Sequence, residues 1–281
     1  MKFKIITLLL LFAGMNLFGQ TVIHNGQEVS GKWTKSGSPY IIEGEAIVPD
    51  GEKLTIKPGV EVQFKTGTDI DYRDYYGDRN PNFDVGFLRV NGTIIAKGKK
   101  NKMILFTSKD KYGKWGNVFM ENSSDNIFEY CHVEKSQYLR SVTEDDNATG
   151  AISFIASSGI VKNCIIENSW SGINCKQKSM PEIQNCVIYN NEYGVEANSD
   201  SKPNVVNCII WNNATCFYIN PGASIKISYS LIQDDFKEEG LFDKGDNIYG
   251  KDPRLDGNFK LKDNSPCIKK GKDNSNMGIK F

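Results

Sequence analysis

The chain has 281 residues, with 34 lysines plus arginines against 34 aspartates plus glutamates and 39% hydrophobic residues. That balance excludes a nucleic-acid partner from the expectations, because phosphate binding needs clustered positive charge. Seven cysteines cannot all pair within one chain, none forms a CxxC, and His24 and His132 are the only imidazoles, so no structural zinc site is expected.

Residues 1–20 carry Lys2 and Lys4, the apolar run Ile5 to Phe12 and a tail ending Gly19-Gln20, the pattern of an export signal with removal at Gly19 or Gln20. No later apolar run approaches the roughly 18 residues of a membrane helix. The expectation is a secreted chain, extracellular, periplasmic or at the cell surface, with one domain over 21–281. The first strands follow as Leu54-Thr-Ile and Val60-Glu-Val-Gln-Phe64, divided by Gly and Pro.

An insertion from Thr66 to Gly86 interrupts them. It holds Asp78-x-Asn80-x-Asn82-x-Asp84, oxygen ligands at alternate positions as calcium loops have, although Phe83 stands where an EF-hand has glycine and no glutamate follows at its twelfth position. Tyr72, Tyr75 and Tyr76 lie in the same insertion, and aromatic rings beside carboxylates suit sugars. The alternative is a solvated polar loop whose tyrosines fold back on the body of the protein.

Strands resume at Phe87–Val90, Thr93–Gly98 and Lys102–Ser108, and then the period becomes strict. Cys164, Cys186 and Cys208 are 22 residues apart, a fourth step lands on Ser230, and Cys131 precedes Cys164 by 33, which implies an eleven-residue insertion in that coil. Gly150, Gly172, Gly194 and Cys216 repeat the period, and so do Asn168, Asn190 and Asn212, which follow each apolar strand where the chain must turn. Asparagine tolerates left-handed backbone angles and can form hydrogen-bonded ladders at a rung spacing of about 4.8 Å. Stacked coils bury apolar faces that no coil can bury alone. The fold expected is all-β, a parallel β-helix with about 22 residues per coil, capped at both ends, with a C-terminal closing segment near 250–281.

Gly37-Ser-Pro-Tyr-Ile-Ile-Glu-Gly44, Leu54-Thr-Ile-Lys-Pro-Gly59, Val90-Asn-Gly-Thr-Ile-Ile-Ala-Lys-Gly98, Phe106-Thr-Ser108 and the tail elements Asp252-Pro-Arg, Phe259-Lys-Leu and Asn264-Ser-Pro-Cys-Ile268 resemble bacterial right-handed parallel β-helix proteins of the pectin-lyase-like superfamily. The resemblance implies a right-handed coil. It leaves activity open, because the superfamily includes lyases, glycoside hydrolases and proteins without assigned chemistry. A lyase of that kind needs calcium and an arginine or lysine base. The nearest approach is the insertion Glu134 to Thr149, where Arg140 neighbours Glu144, Asp145 and Asp146, a pattern a surface salt-bridge cluster also gives. The pairs Asp145-Asp146 and Asp234-Asp235 lack the glycine and histidine context of the hydrolases.

The cysteine column reads as interior packing, with Cys186→Ser expected to cost about 1–3 kcal/mol through a poorly paired hydroxyl and Cys186→Ala less. His132, next to Cys131 on a strand, should face the other way, so the two form no dyad. Trp170, Tyr189, Tyr193 and Trp211 remain; Tyr189 and Trp211 share a repeat position and suggest either an exposed sugar-stacking strip or packing under a corner. The leading expectation is a non-catalytic protein binding a polysaccharide or other cell-surface macromolecule. A calcium-dependent lyase on uronate polymers and a purely structural or adhesive protein are the alternatives.

Overall fold

The 22-residue spacing sets equivalent strands side by side on successive coils. In the computed structural model of the chain, which describes residues 19–67, 84–139, 148–234 and 238–281, each regular coil crosses three parallel sheets in the same order. Sheet A runs from Thr21–Ile23 through Glu61–Phe64, Ile104–Ser108, Cys131–Glu134, Ile165–Glu167, Val187–Tyr189 and Ile209–Trp211 to Leu231–Ile232 and Ile248–Tyr249. Sheet B runs from Gln27–Glu28 through Phe87–Val90, Val118–Glu121, Gly150–Ile155, Ser171–Lys176 and Tyr193–Ala197 to Thr215–Ile219, and sheet C from Gly31–Trp33 to Leu241–Asp243. The described residues contain no α-helix. This is the parallel β-helix the repeat requires, with the right hand the resemblance implies.

Register follows the cysteine spacing: Ile165 pairs with Val187, Val187 with Ile209 and Ile209 with Leu231. The glycine column needs one correction. Gly150 pairs with Ser171 and Ile152 with Ile173, so Ala151, not Gly150, lies beside Gly172. The sheet B to sheet C turn of that coil, 156–158, is shorter than its counterparts at 177–181 and 198–203, and the shift originates there. Gly172 and Gly194 do stack, for a reason of close approach: a Cβ on Gly172 would lie 2.7 Å from the Gly194 carbonyl oxygen, and one on Gly194 would lie 2.5 Å from that of Cys216.

The asparagine corners form as the sequence implies. Asn168, Asn190 and Asn212 have φ of 55°, 54° and 59°. Asn190 Nδ2 donates to Asn168 Oδ1 at 2.6 Å and Asn212 Nδ2 to Asn190 Oδ1 at 3.0 Å. Beside them a buried column, Ser169, Asn191 and Asn213, ties successive coils by side-chain to backbone bonds of 3.0 Å. Asn163, Asn185 and Asn207 adopt the same left-handed conformation at the sheet C to sheet A corner.

All seven cysteines are free and buried, and burial pushes the thiols of Cys164, Cys186 and Cys208 well above their ordinary value. His132 points to the outer side, as strand alternation requires. One expectation changes. Ser230, the last member of the column, donates to the Ser228 carbonyl at 2.9 Å and accepts the Cys208 amide at 3.0 Å, while Cys186 Sγ faces the Gln184 carbonyl at 3.2 Å in the same way. A serine at 186 therefore finds both partners. Cys186→Ser is expected to cost no more than about 1 kcal/mol, and Cys186→Ala, which leaves a small void and removes the acceptor, is expected to cost more. Urea midpoints of the two variants check this; a larger loss for serine would contradict it.

The apolar pairs of the repeat divide between two environments. Ile166, Ile188, Ile210 and Ile232 enter the central core, whereas Ile165, Val187, Ile209 and Leu231 face outward. That outer face is covered, because residues 250–281 return along sheet A and bury Cys267, Met277 and Ile279 against it. A sheet buried on both faces shows consecutive apolar residues where a half-exposed one alternates. The C-terminal segment thus lies as a strap along the side of the solenoid rather than across its end.

Candidate functional site

Three consecutive coils carry long connections from sheet A to sheet B: 65–86, 109–117 and 135–149. The next three turn the same corner in three residues each, 168–170, 190–192 and 212–214. The step between long and short corners leaves a trough of about 700 Å³, floored by Asn168, Asn190, Asn191, Asn212 and Asn213 and closed at one end by Lys114, Ser136 and Gln137. Its outer corner amides, Asn168, Asn190 and Asn212, stand one rung apart in the left-handed conformation, whereas the amides of Asn191 and Asn213 turn inward to the Ile166 and Ile188 carbonyls. Lys114 Nζ donates to the Asn168 carbonyl; burial and the nearby Lys135 charge lower its pKa.

An aromatic row borders the trough. Tyr138 and Trp170 have ring centroids 5.0 Å apart, Trp170 and Tyr193 6.1 Å, and Tyr193 and Tyr218 5.3 Å, each pair tilted. Trp170 is 40% exposed and Tyr218 43%. Four rings on four successive coils form a continuous apolar edge along the axis, next to polar amides. Flat apolar surface beside convergent hydrogen-bonding groups is the chemistry that holds a sugar ring, whose faces are apolar and whose rim is hydroxyl.

The outer face of sheet B is otherwise closed. Val85, Phe87, Phe119, Leu139, Ala148 and Ile155 form a buried cluster of their own, with Val85, Leu139 and Ala148 coming from the roots of the two insertions. Beside it Glu196 is buried, accepting from Thr149 Oγ1 and from Asn174 Nδ2 at 2.8 Å. Burial raises its pKa, against the lowering effect of those two bonds and of Lys176.

The sequence candidates distribute as follows. Tyr189 and Trp211 pair in register on sheet A, are half-buried against the C-terminal strap, and Tyr189 meets Phe259 edge-on at 5.5 Å. They share a face with the strap, not with the trough. Asp84 sits at the root of the first insertion with its carboxylate against Gly67. Asp78, Asn80, Asn82, Tyr72, Tyr75, Tyr76, Arg140, Glu144, Asp145 and Asp146 lie outside the described residues. Trp170 and Tyr193, noted in the sequence without a place, become the centre of the aromatic row. Tyr138 and Tyr218 were not singled out: Tyr138 belongs to an insertion with no repeat partner, and Tyr218 pairs with Glu196 rather than with Tyr193. The available signal was parity, since Phe217 enters the core and its neighbour must face out.

A family model described as right handed beta helix region matches residues 111–259. Comparison with curated proteins and with solved structures gives no match. Among the described residues no helix is long and apolar enough to cross a membrane.

Proposed function

The chain belongs to the right-handed β-helix family, and from that premise we propose that it is an exported binding protein for an extended polysaccharide. The glycan lies along the solenoid axis, its rings on Tyr138, Trp170, Tyr193 and Tyr218 and its hydroxyls on the asparagine trough. The observation that carries the reading is the coincidence of the two features on one edge: four aromatic rings at 5.0 to 6.1 Å spacing beside a row of amides. That spacing is close to one rung, about 4.8 Å, so a stiff, linear chain of sugar rings meets one aromatic per coil. Export is supported by the charged and apolar character of residues 1–20.

Affinity electrophoresis in neutral and uronate polysaccharides tests the reading. Trp170→Ala is expected to weaken retention about tenfold, equivalent to about 1.4 kcal/mol, with the melting temperature nearly unchanged because the ring is substantially exposed. The paired variant Trp170→Ala with Tyr193→Ala is expected to abolish retention. Undiminished retention by the paired variant would remove the strip from the site. Release of unsaturated sugar from a uronate polymer would replace binding by lyase chemistry.

A further inference from the structure

Among the described residues one set of imidazole and carboxylate groups converges, on the outer face of sheet A: His132, Glu134 and Glu167, whose ligand atoms all lie within 4.8 Å of one another. His132 and Glu134 are two apart on one strand and so share a face, and Glu167 pairs with Glu134 directly across the next rung. Two carboxylates opposed in register repel unless a cation lies between them.

The geometry points to a site for one divalent transition ion of the zinc class, bound by His132 Nε2, Glu134 Oε2 and Glu167 Oε1. Glu167 Oε1 is 2.8 Å from the imidazole nitrogen and Glu134 Oε2 is 4.0 Å from it. Ligands about 2.0–2.2 Å from a zinc ion sit roughly 3–3.5 Å apart, so separations of at most 4.8 Å need small side-chain shifts, on the order of an ångström, to complete the site. Each carboxylate is already turned for it. Thr107 Oγ1 donates to Glu134 Oε1 at 2.6 Å and Lys135 Nζ lies 3.1 Å from the same oxygen, which leaves Oε2 facing the imidazole. Asn168 Nδ2 donates to Glu167 Oε2 at 2.8 Å, and Asn168 is itself the end of the ladder from Asn212 and Asn190. These outer bonds orient ligands as supporting residues do in metal sites.

Phe259, from the C-terminal strap, stands edge-on to the imidazole at 6.3 Å and walls one side. One imidazole and two carboxylates suit zinc and its neighbours; calcium needs six to eight oxygens. Lys135 opposes the ion by its charge and sets the affinity below that of a site without it. The competing arrangement is a protonated His132 bridging the two carboxylates with no metal.

Calorimetric titration of chelator-treated, untagged protein with Zn²⁺, followed by Co²⁺ absorption, separates the two. The expected result is one ion per chain, a Co²⁺ spectrum of nitrogen and oxygen ligation without thiolate charge transfer, and a Zn²⁺-dependent rise in melting temperature. His132→Gln and Glu167→Gln are each expected to lower affinity more than about 100-fold, and Thr107→Val about tenfold, with circular dichroism unchanged. The proposal fails if the wild type takes up no Zn²⁺ at micromolar concentration, if His132→Gln binds as tightly as the wild type, or if the Co²⁺ spectrum shows thiolate ligation.

Discussion

Ending the chain at Gly250 is expected to unfold the C-terminal coils at ordinary temperature while the N-terminal coils persist. The strap buries Cys267, Met277 and Ile279 against Ile165, Val187, Ile209 and Leu231. At about 1.5–3 kcal/mol for each fully buried apolar side chain, its removal costs on the order of 5–10 kcal/mol, a large part of the roughly 5–15 kcal/mol that holds a domain together. The loss includes backbone bonds, since the Gly278 amide donates to the Asn207 carbonyl at 2.7 Å and Tyr130 Oη to that of Lys280 at 3.2 Å. Solenoid coils depend mainly on their neighbours, so damage to one region spreads only as far as the coupling between coils carries it. Melting followed by Trp211 fluorescence and by far-ultraviolet dichroism should therefore separate into two transitions. A single transition at the wild-type temperature would mean that the strap adds nothing to sheet A. Met277→Asp, a point version of the same experiment, places an unpaired charge at a fully buried position and should show the same split.

Trp115→Ala is expected to lower stability by about 3–5 kcal/mol, the usual cost of removing a fully enclosed aromatic side chain. The indole stacks on Phe64 with centroids 3.9 Å apart and an interplanar angle of 8°, and its Nε1–H donates to the Glu134 carbonyl at 2.6 Å. It also holds the closed end of the trough: the Trp115 amide donates to the Lys135 carbonyl, and the Gln137 amide donates to the Trp115 carbonyl at 2.7 Å. The variant should therefore bind polysaccharide more weakly even at temperatures where it remains folded. Trp115→Phe keeps the stacked ring and loses one hydrogen bond, for an expected cost of about 1–2 kcal/mol including the smaller ring. Chemical denaturation of both variants checks the order. Equal stability of the two would show that the hydrogen bond, not the packing, carries the effect.

What the sequence by itself determined is the part of the fold that repeats. Cys164, Cys186 and Cys208 recur at 22 because each occupies the environment its neighbour on the next coil occupies, a fully buried place that suits a small side chain. Asn168, Asn190 and Asn212 recur because each corner demands the same left-handed backbone. Even the Gly150 misplacement is a one-residue error in a sound period, made because nothing local reveals that the turn 156–158 is short.

Only the tertiary structure decided what happens between coils and across the outer surface. The shared repeat position of Tyr189 and Trp211 allowed either an exposed strip or packing, and the returning strap packs on their face; Tyr138, Trp170, Tyr193 and Tyr218 share no repeat position and still make a row. Glu134 and Glu167 stand 33 residues apart, the step the cysteines already mark, but the bonds from Thr107, Lys135 and Asn168 that turn their carboxylates come from three different corners and strands. The physical reason is the same in each case. A periodic pattern records which side of its own strand a residue occupies, whereas contact across rungs, or with a segment arriving from 50 or more residues away, leaves no local energetic mark until the chain has coiled.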